Sequence, residues 1–390
     1  MRILVATLST PGFVFPLLAV ADALRARGDD VAFVADLAFA ETLRARGHRR
    51  IARGAADGPS FRIESWGEPL NVAIQVRHLE AALGAFAPHA ILASHLALGP
   101  LVARELHGIP VAVLGPIVLP WRYGVPAAEG APDPAWRYAE LRATLERARL
   151  AFGLAPSAEP YERSLLFGDV TLLQGVAGLQ AGGADSGALR VVGSCMNPSA
   201  DARLDAGDAA WLRAQRAAGR KIVYVHLGRT FDHASFWPAF VRWIAERDAS
   251  AVVCTERYDR AVGAAPPNVL LRERVSLAET LPFADAVVCG GHPTAVLAAA
   301  SHALPVLAAF GGSGTENTAE AIARYGSAIA LASDGLSDDA FTGALDRLLS
   351  EAAYRERAGC LRAEFARHDG PAEAAAAIAE IAAREPAGAA

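Results

Sequence analysis

The sequence predicts an α/β protein made of two doubly wound parallel sheets, and three observations carry that reading. Short apolar runs of strand length alternate with segments of helical period. The alternation occurs twice, once from Ile3 and again from Ile222. Between the two series, Gly193 to Asp208 holds Pro198, Gly207 and scattered Asp and Ser with little apolar periodicity, and reads as a linker. The expected division is residues 1–200, then 209–370, then 371–390 as an Ala-rich helix fading into a frayed tail.

In chain order, Ile3-Leu4-Val5-Ala6 is the first strand, followed by the turn cluster Ser9-Thr10-Pro11-Gly12. Leu17, Ala21 and Leu24 recur at helical spacing, and Gly28 closes that helix. Val31–Ala35 repeats the strand, and Leu37–Arg46 repeats the helix up to Gly47. Further strands are expected at Ile91–Ala93 and Val111–Leu114. In the second series Ile222–Val225 is a strand, Leu227-Gly228 a turn and Phe236–Arg247 a helix. Strands follow at Ala251–Val253, Val269–Leu271, Ala286–Val288 and Val306–Ala308. Strands alternating with helices imply parallel sheets covered on both faces, with ligands bound at the carboxyl ends of the strands.

The 390 residues are 53% hydrophobic and 20% charged, which excludes a disordered or fibrous chain. Thirty-seven basic against 42 acidic residues give a net charge of −5 with no basic block, so neither nucleic acid nor an anionic membrane is the expected partner. Cys195, Cys254, Cys289 and Cys360 stand far apart, which fits a reducing cytoplasm better than a disulfide scaffold or a zinc ribbon. Two uncharged stretches imitate targeting segments. Ile3–Ala21 is interrupted by Pro11-Gly12 and Pro16. Ala286–Thr315 is punctuated by Gly290-Gly291, Pro293, Pro305 and Gly311-Gly312, as strand–helix–strand requires. With no Asp-x-Asp and no His/Cys/Glu cluster of ligand spacing, no metal is expected. Gly-x-Ser-x-Gly and Gly-x-Gly-x-x-Gly are also absent, which leaves hydrolase and NAD readings without support.

An ordered set of motifs runs through most of the chain. Met1–Val5 leads into Pro11-Gly12-Phe13-Val14-Phe15-Pro16-Leu17-Leu18. Val191-Val192-Gly193 precedes the linker, then come Trp211-Leu212 and Val223-Tyr224-Val225-His226-Leu227-Gly228. Leu281-Pro282 and Asp285–Val288 lead to Gly290-Gly291, with Ala303-Leu304-Pro305 and Asn317 beyond. No one of these is specific, but their order resembles the GT-B-fold, nucleotide-sugar-dependent glycosyltransferases of antibiotic and natural-product biosynthesis. The resemblance implies two Rossmann-like domains facing across a cleft. The first would bind a small-molecule aglycone and the second a nucleotide sugar, with no further cofactor; a homodimer is compatible with it.

Four positions depart from that family's pattern. Phe13 stands where the family has its general base, a histidine, and Phe cannot accept a proton. Ser94-His95 replaces the Ser-Asp that orients the base. The donor loop reads Gly290-Gly291-His292-Pro293-Thr294, with Gly in place of the usual histidine. Ser313-Gly314 replaces the acidic-plus-Gln pair that holds the sugar hydroxyls.

Each candidate residue has an ordinary structural reading beside the functional one. Gly290–Thr294 opens a helix near Ala295, where free amides and the helix dipole make an anion site; His292 is expected to give a phosphate a charged hydrogen bond. The plainer reading is a glycine turn with a capping histidine. Gly311–Glu316 reads equally as a capping box from Ser313 to Glu316 or as a loop facing the sugar. His95 is either a satisfied structural histidine or a base that has moved to the opposite wall. Phe13 is either a packing residue or an apolar acceptor wall, suited to an acceptor that needs no base, such as an amine or an acidic phenol. Thr10, Trp66 and His78 are the remaining acceptor-side candidates, with packing as the alternative for Trp66 and His78 and turn formation for Thr10. The resemblance places Gly228, Arg229 and Thr230 at the phosphates and Arg274 and Val275 at the nucleobase, where Arg274 can still stack.

These readings converge on inverting, metal-independent sugar transfer from a TDP- or UDP-sugar to a small apolar acceptor. The alternatives are a GT-B scaffold without sugar transfer, acting as an auxiliary partner or in different chemistry, and, more remotely, a nucleotide-sugar epimerase.

Overall fold

The computed structural model describes residues 1–54, 58–122, 135–180, 187–196, 203–226, 233–255, 265–311, 314–334 and 336–384. The chain forms two compact units. One is Met1–Ala177, Ala181–Cys195 and His368–Ala390; the other is Gly178–Gln180 and Met196–Arg367.

The first unit is built on seven strands: β1 (Arg2–Ala6), β2 (Asp30–Val34), β3 (Arg49–Arg50), β4 (Ala90–Ser94), β5 (Val111–Leu114), β6 (Val170–Leu173) and β7 (Leu189–Val191). They lie in the order β3-β2-β1-β4-β5-β6-β7, all parallel. Period-two alternation decides what each face covers. Ile3 and Val5 of β1 point into one core cluster with Leu17 and Leu24 of the helix Pro11–Ala26, while Leu4 and Ala6 point into another with Val72 and Leu79 of the helix Pro69–Phe86.

The second unit has six strands: β8 (Lys221–His226), β9 (Ala249–Cys254), β10 (Val269–Arg272), β11 (Ala286–Cys289), β12 (Val306–Phe310) and β13 (Ala328–Ala332). Their order is β10-β9-β8-β11-β12-β13, again all parallel. In each sheet the winding reverses once, between β1 and β4 in the first and between β8 and β11 in the second. Side chains just beyond the carboxyl ends of these strands sit at the topological switch points, where open α/β sheets bind ligands.

The structure departs from expectation in four places. Pro16 lies inside the helix Pro11–Ala26 instead of interrupting it. A proline there forfeits one intrahelical bond near the N-terminus, and burial of Val14, Leu17 and Leu18 outweighs that loss. The expected linker to Asp208 is too long, because Asp205 caps a helix at Ala206–Ala217 by accepting from Gly207 N. Strands β3, β6, β7 and β13 have no counterpart in the sequence reading; β3 is two residues long and carries no pattern.

The helix Gly370–Ala382 is not a separate tail. It packs along Pro11–Ala26 and inserts Ala374, Ile378 and Ile381, fully buried, into the first unit's core. Two glycines make this return path. A Cβ on Gly370 would meet the Ser194 carbonyl oxygen at 2.3 Å, and one on Gly193 would meet the His368 Cβ at 2.4 Å.

Candidate functional site

In the first unit the chain reverses sharply at the carboxyl end of β4. Ser94 Oγ accepts from Leu8 N at 3.0 Å, which ties the ends of β4 and β1 together. His95 N donates to Leu114 O at 3.1 Å, and Ala97 N donates back to Ser94 O at 3.1 Å. Between them Leu96 takes φ +67°, a left-handed conformation that costs an ordinary side chain about 1 kcal/mol. The helix Gly99–His107 follows at once. Only glycine fits at its start, since a Cβ on Gly99 would lie 2.4 Å from Gln75 Cβ; Gly99 N donates to the buried Gln75 Oε1 at 2.9 Å.

This reversal holds His95 in the wall of a small apolar pocket with Leu98, Gly115, Trp121 and Phe167, of about 40 Å³. The His95 ring meets Phe13 edge-on, centroids 4.8 Å apart. Its Nδ1 is buried and has no hydrogen-bond partner among the described residues. Burial pulls the imidazole pKa down to about 4, opposed in part by the Leu114 backbone, so the ring is neutral at pH 7 and keeps a lone pair.

The other acceptor-side candidates lie elsewhere. Thr10 precedes the helix Pro11–Ala26 as its N-cap residue without a side-chain capping bond. Trp66 packs against the core. His78 is fully buried, Nδ1 2.7 Å from Ser60 Oγ and Nε2 2.9 Å from Ile51 O, while Asp36 Oδ1 accepts from Ser60 N and Phe61 N. That chain of bonds pins a loop under β2 and offers no face to a ligand. Thr10, Phe13, Trp66 and His78 do not line the pocket, Phe13 packing against the core and the His95 ring instead; Trp121 and Phe167 do line it. Neither was singled out from sequence, because Trp121 falls in a loop and Phe167 in a single 3-10 turn, where no periodicity marks them.

In the second unit the corresponding position is the turn after β11. Gly290 and Gly291 are buried, and Gly291 has φ +80°. A Cβ there would meet Thr315 O at 3.0 Å, so this turn lies against the start of the helix Glu316–Tyr325. The helix Pro293–Ser301 begins two residues earlier than expected, with His292 as its N-cap residue, Pro293 in its first turn, Thr294 half-buried beside it and no side-chain cap. Burial, helped by the neighbouring His226, pulls the His292 pKa down to about 4. That favours the neutral imidazole near pH 7, and an anion placed beside the ring would act in the opposite direction. His226 ends β8 with Nδ1 3.3 Å from the Tyr224 hydroxyl.

Ser313, the first residue of the expected capping box, lies outside the described residues. The helix starts at Glu316, not just after Ser313, and its N-cap residue Thr315 makes no side-chain capping bond. Thr315 Oγ1 and Glu316 Oε2 are buried beside the glycine turn without hydrogen-bond partners among the described residues. Gly314, at φ +79°, precedes them. Arg274 is exposed after β10, 4.0 Å from the Glu273 carboxylate, and Val275 is half-buried. Gly228, Arg229, Thr230 and Ser313 lie outside the described residues. Among the described residues no three His, Cys, Asp or Glu side chains are grouped to hold a metal ion, and no helix is long and apolar enough to cross a membrane.

Comparison with known proteins agrees with this layout. Residues 240–381 match the family described as erythromycin biosynthesis protein CIII-like, C-terminal domain. The chain is 26% identical to 4'-demethylrebeccamycin synthase of Lentzea aerocolonigenes, over 96% of this chain and 97% of that protein. Among solved structures, a glycosyltransferase of kitacinnamycin superposes with a TM-score of 0.74 at 21% identity, covering 97% of this chain and 98% of the other. The glycosyltransferase VinC, solved with dTDP, superposes with a TM-score of 0.70 at 19% identity, covering 99% and 100%.

Proposed function

We propose that this chain, a member of the GT-B natural-product glycosyltransferases, moves a sugar from a thymidine or uridine diphosphate to a small apolar acceptor with inversion at the anomeric carbon. The observation that carries the reading is the buried glycine turn Gly290-Gly291 at the switch point of the second sheet, set against the head of one helix and opening another. Backbone amides and the positive end of the Pro293–Ser301 helix suit the diphosphate, which gains charge as it leaves. His292 adds a hydrogen-bond donor, and Glu316 and Thr315 offer a carboxylate oxygen and a hydroxyl to the sugar. Gly228, Arg229, Ser313 and Gly314 are assigned to the same donor, and Arg274 with Val275 to the base. No metal is required in this arrangement.

The acceptor is assigned to the pocket of the first unit, with His95 as the group that takes its proton. The acceptor oxygen or nitrogen attacks the anomeric carbon, the carbon–oxygen bond to the diphosphate breaks with its electron pair on the diphosphate oxygen, and the acceptor's proton passes to His95. The alternative of a scaffold without sugar transfer is not favoured, because similarity to a named synthase spans 96% of the chain. The test is calorimetric and thermal-shift titration with TDP, UDP and their glucose conjugates. A ligand at a hundred times its Kd raises stability by about 2.7 kcal/mol. A preference for one nucleotide supports the reading, and absence of binding by all four in a folded sample rejects it.

A further inference from the structure

We infer that His226 and His292 form one proton-accepting pair at the donor turn. When a nucleotide sugar brings its diphosphate to Gly290-Gly291, the pair takes one proton from solvent. The imidazolium so formed opposes the charge that collects on the diphosphate as the sugar leaves. The inference rests on the reading that the second unit binds the donor, and adds to it His226 and a proton.

The sheet brings the two rings together. β8 ends at His226 and β11 ends at Cys289, and these residues are register partners at the carboxyl edge. The chain then turns through Gly290 and Gly291, both buried, and sets His292 at the head of the helix Pro293–Ser301. There His292 lies within electrostatic reach of His226. Tyr224, also on β8, places its hydroxyl 3.3 Å from His226 Nδ1 and its ring at 29° to the imidazole, centroids 6.4 Å apart. On the other side of the turn Thr315 is 6% exposed, and its Oγ1 has no hydrogen-bond partner among the described residues. The Thr315 Cβ lies 3.3 Å from where a Gly291 side chain would begin. A buried hydroxyl left unsatisfied against a glycine turn points to a polar ligand.

The groups packed around the pair set its resting charge. His226 has Cys254 on β9 and Cys289 on β11 as register partners. Burial pushes the Cys289 thiol up to about 12, and Cys254 Sγ donates to Glu273 O at 3.2 Å, so both sulfurs keep their protons. Burial and His226 are the influences on the His292 ring, and both disfavour a proton there. The Glu316 carboxylate, at the head of the helix behind the turn, is not among them.

A diphosphate reverses that balance. It carries about two negative charges in a nucleotide sugar and about three once the sugar has gone, because a terminal phosphate ionises near ~6. An opposite charge at hydrogen-bond distance raises a ring's pKa by about 1–3, which brings His292 from about 4 to roughly 5–7. Adjacent imidazoles take one proton between them, since the first charge repels a second. In the transfer the carbon–oxygen bond to the diphosphate breaks with its electron pair on the diphosphate oxygen. The imidazolium donates a hydrogen bond to the diphosphate throughout, and its proton returns to solvent when the nucleoside diphosphate departs. Because the anion gains charge in that step, the pair favours the leaving group over the bound donor.

The probes are TDP-glucose and UDP-glucose, whose esterified diphosphate lacks the ionisation near ~6 of a terminal phosphate. They are titrated calorimetrically into the full chain in MES and in bis-Tris, so that the difference in binding heat counts protons. About half a proton is expected to be taken up per donor bound at pH 6 and almost none at pH 8, with affinity about tenfold tighter at pH 5 than at pH 8. His226→Gln should cut the uptake by about half. The double variant His226→Gln, His292→Gln should abolish it and flatten the pH profile, while keeping affinity at pH 8 within about threefold of the parent. An arginine is charged throughout this range, so Arg229 cannot produce the slope. Binding without proton uptake, uptake unchanged in His226→Gln, or a pH slope that survives in the double variant overturns the inference and leaves the donor reading standing. Failure of both nucleotide sugars to bind the folded chain overturns the two together. Should the double variant not fold, carbon-13 histidine NMR of the parent at pH 6 decides. Two imidazole signals moving toward their imidazolium positions on donor addition support the pair, and fewer than two overturn it.

Discussion

Phe13 meets His95 edge-on, with ring centroids 4.8 Å apart and planes at 64°. In the proposed reaction, the residue that cannot take a proton braces the one assigned to take it, and this contact orients His95 in place of a carboxylate. The Ser94–Ala97 reversal fixes its backbone, and the phenyl ring fixes its imidazole. Aromatic pairs of this kind contribute about 1 kcal/mol beyond their buried area. Phe13→Leu should therefore lower thermal stability slightly and lower kcat about tenfold with little change in donor affinity, measured by steady-state kinetics beside nucleotide calorimetry.

Gly291 gives the corresponding test in the second unit. Its φ of +80° and the 3.0 Å approach of Thr315 O leave no room for a methyl group. Gly291→Ala is expected to destabilise the protein by about 1–2 kcal/mol and to weaken TDP or UDP binding at least tenfold, because the turn must shift away from the helix end. Isothermal titration reads the affinity, and a denaturation curve separates it from unfolding.

Most of both sheets was legible in the sequence because fully buried parallel strands are written as unbroken apolar runs, as Val111–Leu114 and Ala286–Cys289 are. β3 was not, since Arg49-Arg50 pairs through backbone alone. Nor did the Ala-rich pattern of Gly370–Ala382 say which unit it joins; that depends on Gly193 and Gly370 packing against His368 and Ser194, a long-range fact. His95, Phe13 and the Gly290–Thr294 turn were singled out because family positions had changed there. Trp121 and Phe167 were missed because pocket walls drawn from a loop and a 3-10 turn have no period. The Ser313–Glu316 spacing suggested a cap, and Ser313 lies outside the described residues.

The two perturbed histidines set an acid limb. In the folded protein His95 and His292 titrate near 4, while in the unfolded chain each titrates near 6.5. Between those values the unfolded chain binds protons that the folded one refuses, so stability falls as pH drops from 6.5 toward 4. Allowing for partial exposure, each site contributes about 1–2 kcal/mol of loss between pH 7 and pH 5. His48, also lowered by burial, adds in the same direction. Thermal melts at pH 7 and pH 5 should show a smaller pH-dependent drop in His95→Gln and His292→Gln than in the parent. Catalysis through neutral His95 should correspondingly stay level from pH 6 to 8 and decline only below about pH 5.

The last test concerns the return of the chain to the first unit. Gly370 lies so close to Ser194 that an added Cβ would stand 2.3 Å from the carbonyl oxygen, and backbone on both sides leaves no flexible side chain to yield. Asp369 caps the helix that follows by accepting from Ala372 N at 3.2 Å, so the helix start cannot slide without losing its cap. Relief must come from lifting Gly370–Ala382 off Pro11–Ala26, which exposes Ala374, Ile378 and Ile381. Gly370→Ala should cost about 2–4 kcal/mol by that route, whereas Gly359→Ala, in an exposed helix with open space at its Cβ, should be neutral or slightly stabilising. Hydrogen exchange locates the damage. Amides of β1, β4 and the helix Pro11–Ala26 are expected to lose protection in Gly370→Ala, while those of β8 and β11 keep theirs; uniform loss across both sheets would show that the helix does not belong to the first unit's core alone.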